Sequence, residues 1–253
     1  MTYERITTDL QDGVLTITLV DVANRNVLSS AMVAELCDAM DKAEADEAVR
    51  VVVVTNIGRV FSAGADLTER TSGDDELTGV DLTMVFGRII RSAKPYVGRI
   101  DGHAIAGGLG LAASMDISVT RADAKYGFSE VRLGLAPAMI SVICLPKMRR
   151  AEAASALLRG NRFDGTEAAR LGLVTDAVHP GDLDDRIEAI VADLVLGGPQ
   201  ALAVTKRLLR EVPTRDLEDA LPWASELSAS VFASPEGQEG MAAYLEKRKP
   251  NWA

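Results

Sequence analysis

The chain reads as an α/β fold followed by a helical tail, and three features of its 253 residues predict this. "VLTITLV" (Val14 to Val20) and "RVVVVT" (Arg50 to Thr55) are β-branched runs of strand length. Between them Met32, Leu36 and Met40 recur at helical spacing, with Val33 and Cys37 alongside, which makes one apolar helix face. From about Gly181 onward the patterning is helical only. A strand–helix–strand order that gives way to helices favours an α/β core with an appendage.

Each element has its own signal. Ser29 or Ser30 caps the first helix. Shorter extended pieces are expected at "KPYVGRI" and "DISVT" and near "KYGFSEV". "TERTSGDDELTGVD", Thr68 to Asp81, is polar and glycine-punctuated, and predicts a mobile loop over a site. "GDLDDRIEAIVADLVLG" and "GPQALAVTKRLLREV" are amphipathic helices. "SPEGQEGMAAYLEKRK" opens on Ser234, Pro235 and Glu236, which suit a cap, a first turn and a helix dipole. No internal repeat is visible. The division expected is a core over residues 1–195 and a helical region over 196–253.

Composition excludes some functions. Hydrophobic residues make up 47% and charged residues 25%, values ordinary for a soluble globular protein. With 2 Trp, 4 Tyr and 5 Phe, the core must be mostly aliphatic. The net charge of -10 argues against nucleic acid, whose binding rests on Lys and Arg against phosphate. It leaves room for a small anionic ligand at a local basic cluster such as "EKRK", Glu246 to Lys249, which also reads as a solvated helix end. No apolar run is of membrane-spanning length, and the N-terminal stretch lacks an apolar signal core. Cys37 and Cys144 imply no disulfide framework, so a cytoplasmic setting is expected. His103 and His179 have no triad partners, and no spacing suggests a metal site.

Three stretches carry the chemistry. In "GRVFSAGADLTE", Gly64 sits between Ala63 and Ala65; such a backbone either bares N–H groups to a ligand or makes an ordinary turn. In "GHAIAGGLGLAASMDI", Leu109 stands where a P-loop needs Lys, and Ala113 spoils a dinucleotide fingerprint. Close helix packing explains its glycines, and a helix starting near Gly107 would also aim free N–H groups at negative charge. In "YGFSEVRLGLAPAMIS", Glu130 has Phe128, Val131, Leu133 and Leu135 close in sequence. Burial of that kind raises a carboxyl pKa and makes a working acid or base; a half-exposed glutamate at a strand end is the plainer alternative.

Taken in order, "NVLSSAM", "FSAGADL", "GHAIAGGLGLAASMDI", "YGFSEVRLGLAP" and "SPEGQEGMAAYLEKRKPNW" resemble the crotonase, or enoyl-CoA hydratase/isomerase, superfamily over nearly the whole chain. The wording of "GGLGL" and "SEVRLGLAPAMIS" is most similar to hydratases of the methylglutaconyl-CoA type. The resemblance implies a spiral of ββα units with a C-terminal helical region that builds a trimer or a dimer of trimers. It implies an acyl-CoA thioester substrate, an enolate intermediate and no separate cofactor or metal. The oxyanion donors would be the N–H groups of Ala65 and Gly107, each typically worth roughly 3–4 kcal/mol in the transition state. Glu130 would be the acid/base.

The same resemblance implies CoA contacts in the segment Ala63, Gly64, Asp66 and Leu67 and at Gly108, and contacts from Tyr244 and Lys247 to a neighbouring subunit's ligand. Asp66 also suits a turn or cap. Arg25 is a candidate cation near the first strand, where Asp21 and Val22 replace the family's Arg-Pro; Thr68 replaces a lysine. Two-glutamate hydratases hold a second carboxylate at the position of Gly110, so this chain has half of that pair. The activity expected is hydration of a 2-enoyl-CoA. The alternatives are a Δ3,Δ2-enoyl-CoA isomerase and a non-catalytic acyl-CoA binder. Acyl selectivity is expected to depend on the loop, on Met84 and Met139, and on the tail.

Overall fold

The computed structural model describes residues 2–71 and 81–252. Strands β1 (Ile6–Gln11) and β2 (Val14–Leu19) form a hairpin closed by Asp12-Gly13, both at positive φ, as a tight two-residue turn requires. Helix α1 (Ser30–Ala45) follows, with Ser29 as its cap, accepting from Met32 N–H. Met32, Leu36 and Met40 are buried on its inner face. Next come β3 (Val51–Asn56), β4 (Val60–Ser62), the short α2 (Leu67–Thr71) and α3 (Leu82–Arg91). The expected loop is therefore helical over 68–71, and its residues 72–80 lie outside the described residues.

Two further turns repeat the plan: β5 (Tyr96–Ile100), β6 (His103–Ile105) and α4 (Gly107–Ser114), then β7 (Ile117–Arg121), β8 (Lys125–Gly127) and α5 (Ala138–Cys144). After α6 (Arg150–Arg159) come β9 (Phe163–Asp164), α7 (Gly165–Arg170) and β10 (Asp176–Val178). The tail is α8 (Leu183–Leu196), α9 (Pro199–Glu211), α10 (Leu217–Ala233) and α11 (Pro235–Glu246).

From β3 to β8 successive strands alternate between two sheets. One has the order β1-β2-β3-β5-β7-β10 and is parallel except for the β1–β2 hairpin. The other has the order β4-β6-β8-β9, parallel across its first three strands. Each turn of chain thus adds one strand to each sheet and then a helix, which is the expected spiral.

Burial explains why β3 reads as unbroken valine. Val52 and Val54 enter the main core with Leu36, Phe86 and Leu109, while Val51 and Val53 enter a second core with Val97, Val119, Leu183 and Ile187 of α8. A strand covered on both faces has no polar side to alternate with. The tail is fastened to this body by buried charge. Lys206 of α9 pairs with Asp116 at 2.7 Å and donates to the carbonyls of Lys94 (2.6 Å) and Ile89 (3.1 Å). Arg50 donates to the carbonyls of Gly197 (2.7 Å), Val195 (3.2 Å) and Trp252 (2.8 Å). Among the described residues no single helix is long and apolar enough to cross a membrane.

Candidate active site

The C-terminal ends of β4, β6 and β8 lie side by side and open onto one cavity of about 360 Å3. Ala63, Ala65 and Leu67 come from the chain after β4, Ala106 and Gly107 from the chain after β6, and Ser129 and Glu130 from the chain after β8. Leu82 of α3 and Pro137 to Ile140 at the start of α5 complete much of the wall. Among these lining residues Glu130 is the single titratable group. A small, mostly apolar cavity with few convergent polar groups suits a small-molecule site.

The backbone at the cavity is bent so that two amides face each other's neighbourhood. Gly64 has φ +90°, and a β-carbon on it would stand 2.9 Å from both Gly107 N and Ile105 O. A β-carbon on Gly107 would stand 3.4 Å from Ala65 N and 2.9 Å from Leu82 Cδ2. Only glycine lets these two segments touch. Ala106, just before α4, takes φ 51° and ψ -121°, a sparsely populated conformation for an L-residue that costs on the order of 1–3 kcal/mol. It turns the chain from β6 into α4 with Gly107 as the first helical residue. Among the described residues neither Ala65 N–H nor Gly107 N–H donates to a protein acceptor. For Gly107 this follows from its place at a helix start.

Glu130 sits on a 3-10 turn, Ser129–Leu133, that ends at Gly134 in the left-handed region. The turn is closed by Leu135 N–H donating to Glu130 O at 3.0 Å. The carboxyl is half-buried, and its Oε2 is buried with no hydrogen-bond partner among the described residues. Burial therefore pushes its pKa above the ordinary glutamate value.

The glycines of α4 separate by function. Gly107 lines the cavity; Gly108 does not, and its α-carbon faces β4, where a β-carbon would come within 2.3 Å of Ser62 O. Gly110 faces α5 and α3: a β-carbon there would stand 2.4 Å from Ile140 Cγ2 and 3.0 Å from Phe86 Cζ. Ile140 itself lines the cavity, so it stands between position 110 and the open space. The absence of a carboxylate at 110 is thus matched by an isoleucine that fills its room. Sequence reasoning did not reach Ile140 or Phe86, since their contact with Gly110 is tertiary.

Asp66, Arg25, Tyr244 and Lys247 lie outside the cavity lining. Asp66 accepts from the N–H (2.9 Å) and hydroxyl (2.7 Å) of Thr68, a turn at the start of α2 that holds its carboxyl below the usual range. Arg25 is exposed and left-handed, and its carbonyl accepts from Ala63 N–H at 3.1 Å. Tyr244 is 84% exposed on α11, and Lys247 is the left-handed residue that ends it. Met139 lines the cavity and Met84 does not. His103 Nδ1 accepts from Lys125 N–H and His179 Nδ1 from Gly181 N–H, so both imidazoles hold backbone. Among the described residues no group of His, Cys, Asp or Glu could hold a metal. A larger apolar groove, about 510 Å3 between α9, α10 and α11, has Glu236 as its one charged lining residue. That carboxylate is engaged by the N–H groups of Gln200 and Ala201.

The enoyl-CoA hydratase/isomerase family model matches residues 9–253. The chain belongs to this family. A crotonase relative from Thermus thermophilus with a provisional enoyl-CoA hydratase name is 36% identical over 238 residues, 92% of this chain and 94% of the relative. The 2,3-dehydroadipyl-CoA hydratase of Escherichia coli is 30% identical over 245 residues, 96% of each chain. A crystal structure of an enoyl-CoA hydratase from Mycobacterium smegmatis superposes with a TM-score of 0.90 at 34% identity, covering 98% of this chain and 99% of the other. The two alternating sheets and their helices are the crotonase fold.

Proposed function

We propose that this crotonase adds water across the double bond of a 2-enoyl-CoA, using Glu130 as its one acid/base. The observation that carries the reading is the cavity itself: one desolvated carboxyl, and two amides, Ala65 and Gly107, uncommitted among the described residues, on a mostly apolar wall. The thioester oxygen would accept from both amides. Ionised Glu130 would take a proton from water as the hydroxide oxygen bonds to C3, and the C2–C3 π electrons would move into an enolate whose oxygen the amides hold. Protonated Glu130 would then return that proton to C2. No electron is gained or lost and no cofactor beyond the substrate's own CoA is required. Tyr244 and Lys247, exposed on the tail, are available to a neighbouring subunit's ligand if the chain assembles as a trimer or hexamer.

Ile140 over Gly110 also favours a second reading. A single carboxyl facing an apolar wall suits a Δ3,Δ2 isomerase, in which Glu130 would take a proton from C2 and return it to C4. Loss of conjugated-thioester absorbance from a 2-enoyl-CoA supports hydration; its appearance from a 3-enoyl-CoA supports isomerisation. Silence in both assays, with tight acyl-CoA binding, refutes the catalytic reading. Glu130→Gln is expected to lower turnover by on the order of 10²–10⁴-fold while ligand affinity persists. Full turnover in that variant overturns the mechanism.

A further inference from the structure

The loop that carries Ala65 is braced from outside the cavity. Residues 25–30 run beside residues 63–69 and meet them at successive points. Ala63 N–H donates to Arg25 O (3.1 Å), Leu28 N–H donates to Gly64 O (2.8 Å), and Leu28 and Ala65 form a parallel bridge. The last point is a side chain. Glu69 Oε2 accepts from both the backbone N–H (2.9 Å) and the hydroxyl (3.0 Å) of Ser30.

Ser30 is the first residue of α1, where the amide has no partner inside the helix. A carboxylate at that end is also favoured by the helix dipole. Helix α1 is 16 residues long and anchored in the core through Met32, Leu36 and Met40, so it is a rigid mount. Helix α2 is only five residues long, too short to hold its own shape by hydrogen bonds alone. It begins two residues after Ala65 and carries Leu67 at the cavity wall.

We infer that Glu69 is a positioning residue: it clips α2 to the start of α1 and so fixes the direction of the Ala65 N–H. The inference rests on the reading of Ala65 as an oxyanion donor. Its readout is geometric, because a donor misplaced by about 1 Å can cost roughly 10²-fold in rate.

The test compares Glu69→Ala with Glu69→Gln in the full-length protein. Both bonds fall on one oxygen, so the amide oxygen of glutamine can accept both. In Glu69→Ala, amide hydrogen exchange across residues 63–71 is expected to quicken. Its kcat toward a straight-chain 2-enoyl-CoA should fall about 10- to 100-fold, with the Kd for a saturated acyl-CoA within about twofold of wild type. Glu69→Gln is expected to keep wild-type exchange and to stay within about threefold in kcat. Unchanged exchange in Glu69→Ala, or equal impairment of the two variants, overturns the inference. Exchange needs no turnover, so a wild-type protein inactive toward enoyl-CoA would refute the hydratase reading while exchange still decided the role of Glu69.

Discussion

In the proposed reaction Glu130 is useful because it is poorly solvated, and the same fact makes it costly to the fold. Its carboxyl holds a proton to higher pH in the folded protein than in the unfolded chain. The folded state therefore binds more protons than the unfolded state between those two pKa values, and this group's share of stability is lost as pH rises through the folded one. Glutamine carries no such charge. The melting temperature of Glu130→Gln should accordingly equal wild type below the ordinary glutamate pKa and exceed it at pH 7 to 8. A wild-type protein more stable than the variant at pH 8 would show that the ionised carboxylate has found a partner. At this scale the sequence was informative: the motif that holds Glu130 and its apolar neighbours pointed to a perturbed acid. What it could not show is that Oε2 lies buried without a partner among the described residues, since that depends on tertiary packing around the 3-10 turn, against which α6 lies.

At the scale of elements, the site depends on how closely α4 approaches α5 and α3. Gly110 permits that approach, and Ile140, 3% exposed, fills the space gained. Alanine in place of a helical glycine ordinarily stabilises by up to about 1 kcal/mol. Here Gly110→Ala should instead destabilise by about 1–3 kcal/mol, the cost of overpacking a close-packed core. In an Ile140→Ala background the contact with Ile140 Cγ2 is removed, while those with the residue-140 β-carbon and Phe86 Cζ (both 3.0 Å) remain, so the same change should cost less, giving a coupling of roughly 1–2 kcal/mol. Additive effects in urea denaturation would mean the two helices are not in that contact.

Most of the long elements were legible and most of the short ones were not. The β3 and α1 patterns span enough residues to show a period, whereas β4 and β6 have three residues each and carry no period at all; β8, equally short, was expected from "KYGFSEV". The polar strand β1, exposed from Thr7 to Gln11, gives no apolar alternation. Helix α10 contains Pro222, which argues against a helix when read locally. Nor does an alanine announce the positive φ that Ala106 adopts.

For the whole molecule, the union of spiral and tail is a matter of a few buried polar contacts. Lys206 is 7% exposed and its Asp116 partner 24%, and the low-dielectric surroundings hold the lysine pKa below its ordinary value. Replacing Lys206 with methionine keeps the length of the side chain but removes the cation from Asp116, which keeps only the Tyr96 N–H among these contacts, the donor from two carbonyls and the charge over the Tyr96 ring. We expect a loss of about 2–3 kcal/mol, discounted for the partial exposure of Asp116, read as a lower urea midpoint. A midpoint equal to wild type would mean the tail is held by apolar contact alone. The change to helical patterning from about Gly181 was visible in the sequence, but the ties that join Arg50 to residues 195, 197 and 252 could not be read from it.

The two proposed donor amides belong to consecutive turns of the spiral, at the ends of the paired strands β4 and β6. Their separation is therefore set first by how many residues each turn contains, and then by the close approach that Gly64 and Gly107 allow. Away from those two glycines, such a site tolerates drift in residue identity far better than a change in spacing. Inserting a single residue after Ser62 or Ile105 would do more harm than most substitutions nearby. In this protein the inherited quantity at the centre of the site is a length of chain.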